Sequence, residues 1–231
     1  PEFIQPENPN NLVWRYLTAD KFFDLLKENC LRLSRLDLLG DPFEASLTKG
    51  QAKHAAAMQA VLGWSGRHYD GSSPEIFRKR LYASCWQMSD HESSGMWQLY
   101  VPKNGLAFQS TFGKLADSYK DENVRIGCVD YINFEDESFN GFKGLSVAMT
   151  KRLQYRHEQE VRIIALHEIT GENQYPDSIN LPWNLKHSID RIFISPYADE
   201  RFKEDVEETL RGSGFHGIPV LWSSIKREPY Y

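Results

Sequence analysis

Residues 155–166 read YRHEQEVRIIAL and predict a strand with two carboxylates at its start. Its second half, residues 161–166, is rich in β-branched and aliphatic residues, which favour a strand. Its first half carries two carboxylates, Glu158 and Glu160, one of which opens that strand. Because side chains at positions i and i+2 of a strand share a face, we expect these two carboxylates to lie close together.

Two neighbouring carboxylates need a compensating environment. Either the pKa of one of them is raised, or a cationic or hydroxyl-rich partner lies beside them. The structural alternative is an exposed strand entry in which Arg156 and Arg162 pair with the carboxylates, since most charged side chains are solvated or paired at the surface. The sequence therefore marks this segment as the candidate chemical centre without deciding between the two readings.

Arg15 is a second charged group that requires a partner. It lies between Trp14 and Tyr16 in a segment that reads as a half-buried strand, so its guanidinium must face a carboxylate, a phosphate or solvent. Asp41 and Glu44, in the turn GDPFE, are the candidate carboxylates for a structural ion pair.

Outward from residues 155–166, short strands and helices follow one another without a regular βαβ alternation. The other predicted strands are residues 12–17, 31–34, 82–87, 105–110, 124–132, 189–195 and 218–222. The predicted helices are residues 18–29, 51–63, 74–80 and 199–211, and residues 96–100 are predicted to form an aromatic turn. Because the helices cluster in the first third and near the C-terminus, we expect an α+β fold with a mixed or antiparallel sheet.

The chain length predicts one domain, because 231 residues lie within the range of a single hydrophobic core. Residues 1–10 are expected to be a flexible lead-in or a remnant of expression, and residues 11–231 a single α+β domain. No apolar run approaches the roughly 20 residues of a membrane span, so no membrane partner is expected.

The net charge and the cysteine pattern argue against several classes of protein. The net charge of -5 argues against a protein that coats nucleic acid, which would carry a basic surface. The three cysteines, Cys30, Cys85 and Cys128, form no C-x-x-C pair, which is typical of a reducing compartment rather than of a disulfide or zinc scaffold. We therefore expect a cytoplasmic protein with no bound metal.

One glycine-rich motif is present but has the wrong context. Residues 212–217 spell G-x-G-x-x-G, yet a helix precedes them and a strand follows, the reverse of the dinucleotide-binding order. We predict a helix cap and a loop there, with no phosphate site.

Four segments, in order, resemble a bacterial family of unknown function. Its members show the motifs (Y/F)-R-Y, N-D-P-F-E, M-W-x-x-Y and W-x-Y-E-x-E-W-R. The corresponding segments here are residues 14–16 (WRY), 40–44 (GDPFE), 96–100 (MWQLY) and 155–162 (YRHEQEVR). Gly40 replaces the usual Asn and Val161 the usual Trp, and Arg156-His157 replace the aromatic residue before Glu158. This resemblance supplies no activity.

The layout also resembles the ADP-ribosyltransferase superfamily, more distantly. In that superfamily Arg or His lies on the first strand, Ser, Thr or Tyr on a middle strand, and the catalytic Glu opens a late strand. The resemblance matches Arg15 to the first element, residues 82–84 or 97–100 to the second, and residues 158–160 to the third. It implies two small sheets that form an NAD cleft, with NAD as a substrate.

The resemblance implies a role for each candidate residue. Glu160 would stabilise the oxocarbenium-like state of nicotinamide–ribose cleavage, and Glu158 would act as general base or orient the acceptor. The expected NAD-binding residues are Arg15, Tyr16, Ser84, Trp97 and Tyr100. The expected supporting residues are Asp41, Glu44 and Arg162.

Three functions therefore remain open. The first is an NAD-dependent ADP-ribosyltransferase or NAD glycohydrolase, a toxin or phage-defence effector by analogy, that acts on an unknown protein or nucleic acid. The second is a Mg²⁺-dependent nuclease or hydrolase that uses Asp41, Glu44, Glu158 and Glu160 as oxygen ligands. The third is a binding module without catalysis, in which the charged residues form one buried ionic network.

Overall fold

The computed structural model describes residues 3–62, 73–119, 123–137, 144–168 and 174–230. Its strands are β1 (Leu12–Thr18), β2 (Cys30–Arg35), β3 (Leu81–Met88), β4 (Gly105–Thr111), β5 (Val124–Cys128), β6 (Asp130–Ile132), β7 (Thr150–Arg152), β8 (Glu160–Leu166), β9 (Ser178–Pro182), β10 (Arg191–Ile194) and β11 (Val220–Trp222). Its α-helices are α1 (Ala19–Glu28), α2 (Lys49–Leu62), α3 (Pro74–Arg78), α4 (Ser94–Tyr100), α5 (Phe112–Ser118), α6 (Leu185–Ser188) and α7 (Glu200–Gly212). Short 3-10 helices lie at Leu36–Leu38, Gly144–Met149, Leu153–Glu158 and Ser224–Lys226.

Helices combined with parallel and antiparallel strand pairs confirm the predicted α+β fold class. The described residues divide into two compact units. Unit 1 comprises the described parts of residues 1–5, 32–85 and 121–180, and unit 2 those of residues 6–31, 86–120 and 181–231. The NAD cleft that the resemblance implies stays a prediction.

Unit 1 is built around β8. This strand pairs antiparallel with β5, from Val124 opposite Ala165 to Cys128 opposite Val161, and it also pairs with β3. A separate parallel pair, β6 with β7, sets Tyr131 opposite Lys151. The core of unit 1 consists of Phe3, Leu36, Ala45, Phe77, Leu81, Ala83, Val147, Ala148, Met149 and Ile164.

Three residues within the predicted lead-in pack onto unit 1. Phe3 is buried in its core, and Ile4 forms a β-bridge with Cys128. The Gln5 side chain donates a hydrogen bond to the backbone carbonyl of Ile126 at 2.8 Å. Residues 3–5 are therefore part of the packed structure of unit 1.

Unit 2 is built around β1 and β4, which pair antiparallel along the whole of both strands. β10 pairs antiparallel with β4 and parallel with β11. Helices α1 and α7 are amphipathic, as their spacing predicts, and each buries one apolar stripe. The buried stripes are Phe22, Leu25 and Leu26 in α1, and Phe202, Val206 and Leu210 in α7.

Three local predictions meet different outcomes. Residues 96–100 form helix α4 rather than a turn, because the Ser93 hydroxyl accepts a hydrogen bond from the Met96 amide and caps the helix. Residues 124–132 form two strands, β5 and β6, because the first part pairs with β8 and the second with β7. Residues 212–217 form the predicted helix end and loop, with Gly214 and Gly217 at positive φ.

No helix within the described ranges combines the length and the apolar character that a membrane span requires.

Candidate functional site

Glu158 and Glu160, the two carboxylates of residues 155–166, are brought together by a backbone kink rather than by a regular strand. Glu158 ends a 3-10 helix, Gln159 takes a left-handed conformation with φ of 43°, and Glu160 opens β8. The prediction that one of them opens the strand is confirmed. The prediction that both lie on the strand is wrong, because the left-handed residue separates them.

Lys151 joins the carboxylates, and nothing in the sequence singled it out. Its Nζ lies 2.5 Å from Glu158 Oε2, 3.3 Å from Glu160 Oε2 and 3.3 Å from Glu44 Oε1. Burial lowers the pKa of Lys151, but the charges of Glu160 and Glu44 outweigh it, so the net pKa is raised. Lys151 is therefore a fixed cation among three carboxylates.

Arg162 is the second cation of this group, and its side chain is fully buried. Its Nε and Nη2 atoms donate to the two oxygens of Glu160 at 3.1 and 3.0 Å. Nη2 also donates to Glu44 Oε1 at 2.8 Å, and Nη1 donates to the carbonyl of Ala148 at 2.7 Å. Burial alone would raise the pKa of Glu160, but Arg162 and Lys151 lower it to about 2. Glu160 is therefore held as a carboxylate.

Glu44 completes the group, which we call the acidic cluster: Glu44, Lys151, Glu158, Glu160 and Arg162. Glu44 is 1% exposed, and its Oε2 atom has no hydrogen-bond partner among the described residues. The acidic cluster thus contains three carboxylates and two cations. An unused acceptor in a buried site suits a ligand that brings a hydrogen-bond donor.

Asp41 forms a separate ion pair at the edge of the acidic cluster. The Arg152 guanidinium donates to both of its oxygens, at 3.0 and 2.7 Å. The same guanidinium lies 4.4 Å from the ring centroid of Phe43 and 5.5 Å from that of Tyr155. Phe43 is 40% exposed, so this edge presents aromatic and cationic groups to solvent.

The partners that the sequence left open are now assigned. Asp41 pairs with Arg152, and Glu44 pairs with Arg162 and Lys151. The sequence had offered Asp41 or Glu44 as a partner for Arg15. Of the two carboxylates in the structural alternative, Glu160 does pair with Arg162, but at a buried site rather than at an exposed strand entry.

The predicted site residues fall into both units. Unit 1 holds Asp41, Glu44, Ser84, Glu158, Glu160 and Arg162, and unit 2 holds Arg15, Tyr16, Trp97 and Tyr100. Of the unit 1 set, Glu44, Glu158, Glu160 and Arg162 meet in the acidic cluster. Ser84 is buried on β3, and its neighbour Cys85 hydrogen-bonds Glu160. Burial raises the pKa of the Cys85 thiol well above its ordinary value, so this cysteine stays protonated.

In unit 2, two of the predicted NAD-binding residues pack against each other. The Tyr16 ring lies edge-on to Trp97, with ring centroids 4.9 Å apart, and burial raises the pKa of Tyr16 to about 12. Of the predicted NAD-binding residues Trp97 and Tyr100, either of which could stack on nicotinamide, Trp97 is 0% exposed and has no open ring face for a ligand. Tyr100 is 42% exposed. Arg15 lies over the ring of Trp86 at 5.8 Å.

Sequence reasoning also missed a carboxylate in unit 2. Glu92 accepts hydrogen bonds from the Trp97 indole at 2.8 Å, the Ser223 hydroxyl at 2.5 Å and the Ser224 amide at 2.6 Å. Burial raises the pKa of Glu92, but these neutral donors outweigh it, and the pKa is lowered. Nothing in the local sequence separates Glu92 from an ordinary surface acid.

A comparison with protein-family models finds no match to this chain, and a comparison with curated proteins finds none either.

Proposed function

We propose that this chain is an NAD-cleaving enzyme of the ADP-ribosyltransferase or NAD glycohydrolase type, with its reaction centre at the acidic cluster of unit 1. The observation that carries the proposal is an unused carboxylate oxygen. Glu44 Oε1 is bound by Lys151 and Arg162, whereas the buried Glu44 Oε2 has no hydrogen-bond partner among the described residues. The resemblance to ADP-ribosyltransferases adds the substrate.

The chemistry of NAD cleavage makes use of a buried carboxylate with a free oxygen. The bond between ribose C1′ and the nicotinamide nitrogen breaks, its electron pair leaves with nicotinamide, and the ribose becomes an oxocarbenium-like cation. A fixed negative charge in a site of low dielectric stabilises that cation selectively over the ground state. The nucleophile then bonds to C1′ and releases its proton. Water gives hydrolysis, and a group of a protein or nucleic acid gives transfer.

The geometry supports a division of roles among the carboxylates. Both oxygens of Glu160 are engaged by Arg162 and Lys151, so in this proposal Glu160 is a positioning residue that fixes the cations and the charge. Glu44 Oε2 is the acceptor for a ribose hydroxyl, and Glu158 takes the proton of the nucleophile. Phe43 and Tyr155, at the exposed edge, supply aromatic surface for the nicotinamide ring.

The Mg²⁺-dependent alternative has less support from the same geometry. A metal ion would have to displace Lys151 and Arg162 from the carboxylate oxygens. Moreover, the described part of the chain contains no group of three or more His, Cys, Asp or Glu side chains arranged to hold a metal ion. The non-catalytic alternative has one observation in its favour: all five side chains of the acidic cluster are at most 8% exposed.

The experiment that tests the proposal is nicotinamide release from NAD by the whole chain and by Glu44→Gln. The variant keeps the Oε1 contact with Arg162 and replaces the unused oxygen by an amide, so we expect folding to survive. Turnover should fall by about 10²-fold, the scale for one preorganised electrostatic group. Glu135→Gln is the matched control, because Glu135 is an exposed carboxylate of unit 1 that pairs with Lys49. It should leave turnover unchanged.

Thermal unfolding with added NAD or added Mg²⁺ separates the three functions, because a ligand that binds only the folded state raises the melting temperature. Stabilisation by NAD together with nicotinamide release supports the proposal. Stabilisation by Mg²⁺ alone would favour the nuclease. If no nicotinamide is released with protein, nucleic acid or water as acceptor, and neither ligand raises the melting temperature, the non-catalytic binding module is favoured.

A further inference from the structure

Unit 2 contains a cleft of about 690 Å³ that the proposed NAD chemistry does not use. Its walls come from the end of α1, residues 182–186 and the loop after α7. This volume is in the range of sites that bind small molecules. The loop after α7 is the one whose G-x-G-x-x-G motif does not fit dinucleotide binding.

Part of the cleft lining is apolar. Leu26, Trp183, Leu185 and Phe215 form this part, which we call the apolar wall. The Trp183 ring packs against Trp86 and Phe108, with centroids 6.2 and 5.9 Å away. These contacts hold the ring in place.

The rest of the lining is polar. Lys186 lines the cleft and is exposed, and none of the described lining residues is Asp or Glu. Asn29, Asn184 and Ser213 add uncharged polar groups. A wall with a cation and without a carboxylate favours an anionic group on the ligand.

Trp183 adds a donor without an acceptor. The residue is 5% exposed, and its indole Nε1 has no hydrogen-bond partner among the described residues. An indole N–H can only donate, and leaving it buried without an acceptor costs free energy. A ligand oxygen within reach would remove that cost.

We propose that this cleft binds a small organic anion in which a carboxylate or a phosphate is attached to an apolar ring. The anionic group lies towards Lys186 and the Trp183 indole, and the ring packs against the apolar wall. Carboxylate and phosphate share one chemistry here, because both present negatively charged oxygens that accept hydrogen bonds from an ammonium group and an indole N–H. The proposal is independent of the NAD chemistry of unit 1.

The test is a titration of the ¹⁵N-labelled whole chain by NMR. The indole signal of Trp183 is assigned by its loss in Trp183→Phe. Benzoate and benzamide form one matched pair of probes, and adenosine monophosphate and adenosine form the other, so each anion has a neutral counterpart of similar shape. We expect the Trp183 signal to move with the anion of at least one pair and to titrate at least tenfold more weakly with its neutral partner. Which pair responds identifies the anionic group.

Lys186→Met removes the charge and keeps the side-chain length. It should weaken binding of the responding anion about tenfold, the scale of one lost charge-assisted hydrogen bond. Lys203→Met, on α7 and in an ion pair with Glu207, is the control and should bind like the unaltered chain. Four results would each overturn the proposal: no shift with either anion, equal binding of anion and neutral partner, equal binding by Lys186→Met, or shifts confined to other indoles.

Discussion

Glu160 in unit 1 and Glu92 in unit 2 are both carboxylates with a lowered pKa, yet they are stabilised in different ways. Glu160 is 5% exposed and bound by the cations Arg162 and Lys151. Glu92 is only partly buried and bound by the neutral donors of Trp97, Ser223 and Ser224. A pair of buried charges is costly to break, whereas neutral donors replaced by water cost little. The pKa of both carboxylates is lowered, yet we expect the stability of the protein to depend more strongly on the partners of Glu160 than on those of Glu92.

The largest expected effect comes from Arg162→Met, which leaves Glu160 and Glu44 buried beside a single cation. We expect the free energy of unfolding to fall by about 3–5 kcal/mol, the usual cost of removing one partner of a buried ion pair. Urea unfolding followed by circular dichroism measures it. A loss below about 1 kcal/mol would mean that the acidic cluster is hydrated, and the contrast with Glu92 would disappear.

Glu160→Gln tests the same cluster through pH. The pKa of Glu160 falls from an ordinary value of 4.5 to about 2 on folding, so the carboxylate contributes stability that is present above pH 4.5 and lost as the pH falls towards 2. A shift of this size corresponds to about 3 kcal/mol. We expect Glu160→Gln to lose about that much at pH 7 and little at pH 2. Urea unfolding from pH 7 to pH 2 measures this. A parallel pH dependence in the variant and the unaltered chain would contradict the assignment.

Glu92→Gln should have a smaller effect. The amide nitrogen places a donor where the carboxylate accepted from other donors, and the serine hydroxyls can rotate while the Trp97 indole and the Ser224 amide cannot. We expect a loss of about 1–2 kcal/mol, the scale of one unsatisfied hydrogen bond. Urea unfolding measures this loss in Glu92→Gln, and Ser223→Ala, which removes one of the neutral donors, is measured in the same way for comparison. If Glu92→Gln lost as much stability as Arg162→Met, a carboxylate bound by neutral donors would be as costly to disturb as one bound by buried cations.

The smallest effect is expected at an exposed pair, Lys49 with Glu135. The pKa of Glu135 is lowered by the hydrogen bond and charge of Lys49, as in the buried cluster, but both side chains are more than half exposed. Solvent and salt screen such pairs, so Lys49→Met should leave the melting temperature unchanged. A clear drop in the melting temperature at moderate ionic strength would mean that the stability lost on breaking an ion pair does not depend on burial.

The fold class and most elements were predictable, because they depend on local patterns. The β-branched run after Glu160 predicted β8, the apolar spacing of residues 199–211 predicted α7, and the glycines after it predicted a cap. Residues 96–100 were misjudged because a single hydroxyl cap at Ser93 decides between turn and helix. Of the candidate site, the importance of Glu158 and Glu160 and their need for a cationic partner were predicted, whereas the left-handed Gln159 that brings them together was not.

The identity of that partner was not. Lys151 reads as one more surface lysine, and it becomes a buried cation only because the pairing of β6 with β7 sets it opposite Tyr131, whose hydroxyl accepts from the Glu160 amide. Glu44 reaches Arg162 across 118 residues of chain, a contact that no local pattern encodes. That neighbouring carboxylates need compensation follows from the sequence, since charge and proximity along the chain are local properties. Which cations supply it depends on the tertiary fold, because the free energy of a buried charge depends on groups that are distant along the chain.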